Sequence, residues 1–92
     1  MKTIIVIGKK WRDTVNGNTY FNTCVIDGEK KFFNGFEYGY GNYWEYAGRR
    51  IIDREKLVKR CKDFEIIYIF AGYDTKSNLK NNNFECWRQS TK

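Results

Sequence analysis

A twelve-residue aromatic stretch, Phe36–Ala47, constrains the fold more than any other part of the sequence. It contains six aromatic residues and two glycines, Gly39 and Gly41. Glycine adopts backbone angles that other residues resist, and Asn42 can cap a helix by accepting a hydrogen bond from a backbone N–H one turn later. The stretch therefore predicts the end of a strand, a glycine turn and the start of a helix.

The predicted helix begins at Tyr43 and runs to about Ile52. Tyr43, Trp44 and Ala47 recur at helical spacing and are expected to share one face. Gly48 lies inside the helix, where it is less favourable than alanine by about 1 kcal/mol. Because this strand-to-helix corner is so rich in rings, we expect it to form the centre of the core.

Four strands are predicted from apolar and β-branched patterning. They are Lys2–Trp11, Tyr20–Ile26, Lys30–Tyr38 with an interruption at Asn34–Gly35, and Phe64–Ala71. Asn16–Asn18 and Asp27–Gly28 are hairpin signals, so the first three strands form an antiparallel meander. The long apolar run at 64–71 predicts a buried strand that returns beside the first strand.

These elements predict one α+β domain over residues 1–92. The domain has an antiparallel sheet of about four strands, with one kinked helix or two short helices on one face. The two helical alternatives differ in whether Asp53 continues or restarts a helix through Lys62. A mobile loop is predicted at residues 74–83, a short strand or anchor at Phe84–Trp87, and fraying at 88–92.

Charge and composition narrow the function classes. The net charge is +6, from 17 basic and 11 acidic residues, which favours an anionic partner or simply a solvated surface. There is no histidine, and the three cysteines lack a C-x-x-C spacing, so we expect no metal site. The odd cysteine count favours a reducing cytoplasm. The apolar run at residues 3–7 is too short to cross a membrane.

Catalysis is poorly supported. Histidine, the usual general base near neutral pH, is missing, and no spacing brings two carboxylates together. Gly39 and Gly41 precede a helix, but a dinucleotide-binding loop needs a third glycine where Trp44 stands. The sequence therefore predicts a protein that is not an enzyme and that uses no cofactor.

Two binding functions use overlapping residues. Basic side chains can contact phosphates while exposed rings stack on bases, and Tyr, Trp and Arg dominate protein–protein hot spots. Half of the fourteen residues from 49 to 62 are basic. The candidate binding residues are Lys9, Lys10, Trp11, Arg12, Tyr40, Arg49, Arg50, Arg54, Lys56, Lys59 and Arg60.

Three motifs in the first half of the chain carry a resemblance. They are Lys10-Trp11, the run from Asn16 to Tyr20, and Tyr38-Gly39-Tyr40-Gly41. In this order of elements the chain resembles a set of small phage and prophage proteins. It departs from their pattern at Phe21, where a histidine tends to follow the tyrosine, and the likeness fades after Ile52.

The resemblance implies an accessory protein that binds and disables a host machine, as phage proteins of this size often do to CRISPR effector complexes. We therefore expect a non-catalytic, anti-CRISPR-like inhibitor in the cytoplasm of an infected or lysogenic bacterium. Its partner would be a host protein or ribonucleoprotein complex for defence or nucleic-acid handling. The alternative function is direct nucleic-acid binding through the basic helix and exposed aromatics. Homodimerisation through the first strand or the 84–87 segment is a further alternative.

Overall fold

The computed structural model describes residues 1–84 and has the predicted α+β architecture. Its elements in chain order are β1 (Lys2–Asp13), β2 (Asn18–Asp27), β3 (Lys30–Phe33), β4 (Glu37–Tyr38), α1 (Tyr43–Arg54), β5 (Phe64–Tyr73) and α2 (Lys76–Lys80). The predicted interruption of the third strand is confirmed, because the chain leaves the sheet after β3 and returns as β4. Gly35 makes this break with a positive φ of 93°.

The strands form one sheet in the order β3-β2-β1-β5, with β4 also pairing with β2. β1, β2, β3 and β4 pair antiparallel. The expected return strand does lie beside β1, but it runs parallel to it, with Ile4 opposite Ile66. The strict antiparallel prediction is wrong at this pair because the α1 crossover carries the chain back to the end at which β1 began.

α1 covers one face of the sheet and builds the core with it. Trp44, Ala47, Ile51 and Ile52 pack against apolar side chains of β1 and β2. The helix approaches so closely that a methyl group at Gly48 would overlap the Val6 side chain. The glycine that weakens the isolated helix is thus what allows it to lie against the sheet.

α1 ends at Arg54, and the predicted continuation toward Lys62 is not helical. Residues 55–60 form turns instead, with Lys56 at φ 56° and Arg60 at φ 65°. These left-handed backbone angles cannot continue a right-handed helix. The helical alternatives therefore resolve to a single helix on this face.

A second helix, α2, lies on the opposite face, within the segment predicted to be a mobile loop. Thr75 caps it by accepting a hydrogen bond from the Asn78 backbone N–H at 3.2 Å. Leu79 is 1% exposed, and its carbonyl accepts a 2.7 Å hydrogen bond from the buried Asn22 side chain of β2. The loop prediction is wrong for residues 76–80, which are helical, and α2 adds a helix on the face where none was predicted. One buried apolar residue leaves no periodic signal.

β5 is an edge strand rather than the buried strand expected from its apolar sequence. It pairs only with β1 among residues 1–84, and five of its large apolar side chains are exposed. The end of the predicted 84–87 segment and the predicted frayed residues 88–92 lie outside the described residues. Phe84 itself lies against Phe33, with ring centroids 5.8 Å apart.

Candidate functional site: an exposed aromatic arc

Strand pairing brings three rings together on the face that carries α2. Trp11 lies opposite Tyr20 across β1 and β2, and Tyr20 lies opposite Tyr38 across β2 and β4. Directly opposed residues of antiparallel strands project from the same face. The centroids are 5.6 Å apart in both pairs, and Phe36 stacks on Tyr20 at 4.8 Å. These four rings form a continuous row.

The row continues round the sheet edge at β4. Tyr38 and Tyr40 meet edge to face at 5.7 Å, and Tyr40 and Tyr43 lie nearly parallel at 6.0 Å. Gly41 makes the turn into α1 with φ 65°. We call the six rings the aromatic arc: Trp11, Tyr20, Phe36, Tyr38, Tyr40 and Tyr43. It runs from the α2 face of the sheet to the N-terminus of α1.

Half of the aromatic arc faces solvent. Tyr38, Tyr40 and Tyr43 are 50–56% exposed, and Tyr46 on the next turn of α1 is 60% exposed. The expectation that the strand-to-helix corner forms the core is right for Trp44, which is 7% exposed, and wrong for these tyrosines. Tyr43 and Tyr46 are three residues apart and lie off the buried stripe of the helix.

Two predicted details of this corner also change. Asn42 occupies the N-cap position of α1, but its side chain makes no capping hydrogen bond to the described helix. Its φ of −102° and ψ of 25° differ from the extended backbone that presents a capping oxygen. Gly39 is needed for space, because a Cβ there would lie 2.8 Å from the Phe21 ring.

A shallow cleft of about 280 Å³ opens beside the end of the aromatic arc. Its lining residues are Phe21, Glu37, Tyr43, Tyr46 and Arg50. The Arg50 guanidinium lies 3.6 Å from the Glu37 carboxylate, and both side chains are substantially exposed. Of these residues only Arg50 was a candidate from the sequence. Tyr43 and Tyr46 were not predicted as binding residues, because ring-rich stretches in small domains usually fill the core.

Lysines of α2 border the other end of the aromatic arc. The Lys76 ammonium lies 5.3 Å from the centroid of Trp11, and that of Lys80 lies 5.4 Å from the centroid of Phe36. Both distances are within the range of cation–π attraction. These lysines were not candidates, because their segment was expected to be a mobile loop.

The tyrosines of the aromatic arc also affect one another chemically. A hydrogen bond with Tyr40, followed by desolvation and the nearby phenols of Tyr20 and Tyr43, raises the pKa of Tyr38 above its ordinary value. Tyr38 therefore stays neutral and keeps its O–H donor over the whole physiological range. The exposed tyrosines present apolar rings with polar tips, which suits contacts that are partly apolar and partly hydrogen-bonded.

Lys9 does not lie on the surface, although it was predicted as a contact to phosphate or to a partner. It is 2% exposed, and its ammonium donates to Asp74 at 2.8 Å. It also lies 5.2 Å from the centroid of the Phe84 ring. Alternation places Lys9 on the α2 face, where residues after β5 cover it. Its ion pair with Asp74 attaches the segment after β5 to the sheet.

Eight of the ten remaining candidate residues fall into two groups. Trp11, Tyr40 and Arg50 lie in the aromatic arc or its cleft, and Arg12 is exposed at the end of β1. A basic run of exposed side chains occupies the far end of α1 and the following turns: Arg54, Lys56, Lys59 and Arg60. α1 is about 18 Å long at 1.5 Å per residue. These candidate residues are thus divided between two surfaces.

The last two candidates lie between these groups or away from them. Arg49 is exposed in the middle of α1, next in sequence to Arg50, which lines the cleft. Lys10 is half-buried, and its ammonium lies 5.2 Å from the centroid of Phe70 on β5. Lys10 therefore borders the opposite edge of the sheet from β4 and does not contribute to the aromatic arc.

The described residues restrict other kinds of site. Residues 1–84 contain no group of three or more histidine, cysteine or carboxylate side chains positioned to hold a metal ion. The longest helix in this part of the chain has 12 residues, and neither helix could cross a membrane.

Comparison with known proteins adds no assignment. No protein-family model, curated protein or solved structure matches the chain. The resemblance to small phage and prophage proteins therefore stays a prediction from the motifs.

Proposed function

We propose that the chain is a non-catalytic binding protein that docks onto a protein partner through the aromatic arc and its cleft. The observation that carries this proposal is the exposure of Tyr38, Tyr40, Tyr43 and Tyr46 on one continuous surface. A small monomer rarely leaves large rings exposed side by side unless they make contacts elsewhere.

The arrangement of the rings suits binding. Tyrosine supplies a large amphipathic contact area with only two side-chain torsions, so little conformational entropy is lost on association. Ring contacts from Tyr20 through Tyr38 and Tyr40 to Tyr43 hold the arc in place before a partner arrives. Arg50, in the cleft beside it, adds the other residue type that dominates interface hot spots.

The partner class proposed is a host nucleic-acid-handling or defence complex of a bacterium that carries the phage or prophage. Two features support it: the motifs that resemble those of small phage proteins and the net charge of +6. A basic protein is attracted to acidic protein surfaces and to the nucleic acid that such complexes bind. On this proposal the chain inhibits by occupying a surface that the complex needs.

Direct nucleic-acid binding is the second candidate function. The observation that favours it is the placement of Lys76 and Lys80 against rings of the aromatic arc. Rings bordered by cations can stack on bases while the cations contact phosphates, and stacking contributes about 1–3 kcal/mol per base. The basic run is too far along α1 to join the same short site.

Host lysate capture with quantified variants tests the first candidate. The tagged full chain is compared with Tyr40→Ala/Tyr43→Ala and with a control, Arg54→Ala/Lys59→Ala, in which equally accessible residues change at the far end of α1. Each captured protein is then purified and titrated against all three. We expect the tyrosine variant to weaken binding at least tenfold, because hot-spot residues contribute about 2 kcal/mol or more. Equal affinity of the two variants would refute the proposal.

A salt-titrated assay separates the two candidates. The purified chain is titrated with labelled single-stranded and double-stranded DNA and RNA at about 50 to about 200 mM salt. Binding to nucleic acid with a steep salt dependence that the tyrosine variant removes would establish the second candidate. If neither a lysate protein nor a nucleic acid binds, the aromatic arc is not a docking surface.

A further inference from the structure

β5 is a long edge strand whose outer side is unpaired within residues 1–84. β5 spans ten residues, which is about 33 Å of extended chain, and it pairs with β1 on one side only within residues 1–84. Such an edge presents a row of backbone N–H and C=O groups that can template another strand. Its sequence has no lysine, arginine or proline, and its bulge lies near Gly72, at the far end of the strand.

Exposed apolar side chains line this edge on both faces of the sheet. They are Phe64, Ile67, Tyr68, Phe70 and Tyr73, which are 37–63% exposed. Tyr68 and Phe70 project on the α1 face, where their ring centroids lie 6.3 and 6.1 Å from Trp44. Ile67 lies opposite Ile5 of β1 on the other face. A strand added here would therefore meet apolar neighbours above and below the sheet.

The distribution of charge indicates which kind of partner would supply the added strand. The only charged residue within β5 is Glu65, in a chain of net charge +6. Nucleic acid or an acidic segment would gain no electrostatic attraction from the β5 edge. Such anionic partners bind more favourably to basic surfaces elsewhere on the chain. Two copies of this basic chain repel each other least where neither surface carries basic residues, as at the β5 edge. The second copy also presents the same apolar side chains.

We propose that two copies of the chain associate through their β5 edges, antiparallel, to form one continuous sheet. A two-fold axis perpendicular to the sheet generates this contact and closes it, so no open polymer results. Both α1 helices then lie on the same side. Because opposed residues share a face, Tyr68 and Phe70 of one copy contact residues such as Ile66 of the other.

The area available predicts a weak dimer. At about 200 Å² per large side chain, the exposed fractions of the five residues amount to about 440 Å² per copy. Two copies thus bury up to about 900 Å² of side chain in addition to the paired backbone, which is near the lower limit for specific interfaces. We expect dissociation in the micromolar range rather than an obligate dimer.

Sedimentation equilibrium of the full chain tests this dimer, from about 5 to about 500 µM and at about 150 mM salt. The mass should rise from 11.1 kDa toward twice that value. Ile67→Lys places a cation in the middle of the edge and should keep the chain monomeric. The control Val15→Lys adds the same charge at an 89% exposed hairpin residue and should dimerise like the natural sequence.

Three results would overturn the inference: a monomer at every concentration, a dimer that survives Ile67→Lys, or open-ended oligomers. If Ile67→Lys fails to fold, Tyr73→Lys at the exposed end of β5 replaces it.

Hydrogen exchange of the natural sequence gives an independent readout. Amides of β5 should become more protected as concentration rises, while those of β3 should not. Loss of the dimer leaves the aromatic arc proposal intact, because the two surfaces share no residue.

Discussion

Replacing Asp74 with asparagine should destabilise the fold through the lysine it leaves behind. The Lys9 side chain is 3% exposed, and Asp74, with 16% exposure, is the carboxylate of residues 1–84 that lies within salt-bridge distance of it. Removing one partner of a buried ion pair costs about 3–5 kcal/mol, because the other charge stays buried without compensation. The amide oxygen of the introduced side chain can still accept a hydrogen bond, so we expect the lower figure, about 3 kcal/mol.

The reverse substitution, Lys9→Met, should cost less. Asp74 keeps contact with solvent and accepts hydrogen bonds from Asn78 at 2.8 Å and from the Thr75 backbone at 2.7 Å. The double variant Lys9→Met/Asp74→Asn leaves no buried charge at this position. It should therefore be more stable than Asp74→Asn alone, with a coupling of about 1–3 kcal/mol between the two sites.

Acid should reproduce part of this effect. Burial is the largest single influence on Asp74 and acts to raise its pKa. The hydrogen bonds from Lys9, Asn78 and the Thr75 backbone together outweigh it, so the pKa of Asp74 lies below its ordinary value. The stabilisation by the ionised carboxylate is thus complete above the unfolded-state pKa of about 3.9 and is lost as the pH falls through the folded-state value.

Urea unfolding of the four proteins at pH 7, repeated at decreasing pH, measures these quantities. A loss of about 3 kcal/mol also corresponds to a fall in Tm of roughly 12–24 °C for a domain of this size. Asp74→Asn should show a flatter dependence of stability on pH below about pH 5 than the natural sequence. The reasoning fails if Asp74→Asn loses less than about 1 kcal/mol, or if Lys9→Met is the more damaging change.

Two further substitutions test how the two helices are attached to the sheet. Gly48→Ala should destabilise by about 1–3 kcal/mol in thermal unfolding despite its better helix propensity, because the methyl group overlaps Val6; a more stable variant, or no recovery on adding Val6→Ala, would contradict this. Asn22→Ala removes the donor to the Leu79 carbonyl and the acceptor of the Gly35 N–H, and should cost about 2–4 kcal/mol. Hydrogen exchange of α2 should rise with it, and unchanged protection there would count against the role of Asn22.

Features that depend on neighbouring residues were predictable. The β-branched run after Lys2 forms β1, the asparagine–glycine signal near Gly17 makes the first hairpin, and the interruption at Gly35 separates β3 from β4. α1 begins at Tyr43, as expected. Strand, turn and helix preferences act over a few residues, so they can be recognised without knowing the fold.

Features that depend on distant contacts were not. α2 contains one buried apolar residue, Leu79, and is held by polar contacts such as the 2.7 Å hydrogen bond between Asn22 and Asn82, sixty positions apart. Its helical state leaves no hydrophobic period in the sequence. The same holds for Lys9, whose burial depends on Asp74 arriving from beyond β5.

The sequence by itself determined the strands and α1, their order along the chain, and which aromatic and basic residues are available. The tertiary structure decided which of them face solvent. Phe64–Tyr73 is apolar enough for a central strand, yet the crossover through α1 places it at an edge. The tyrosines of Phe36–Ala47 lie outside the core because the chain turns round the β4 edge, and Trp44 is the one ring of this stretch that is buried. The preference of a segment for strand, turn or helix depends on its adjacent residues. The exposure of its side chains depends on which other elements the topology packs against that segment.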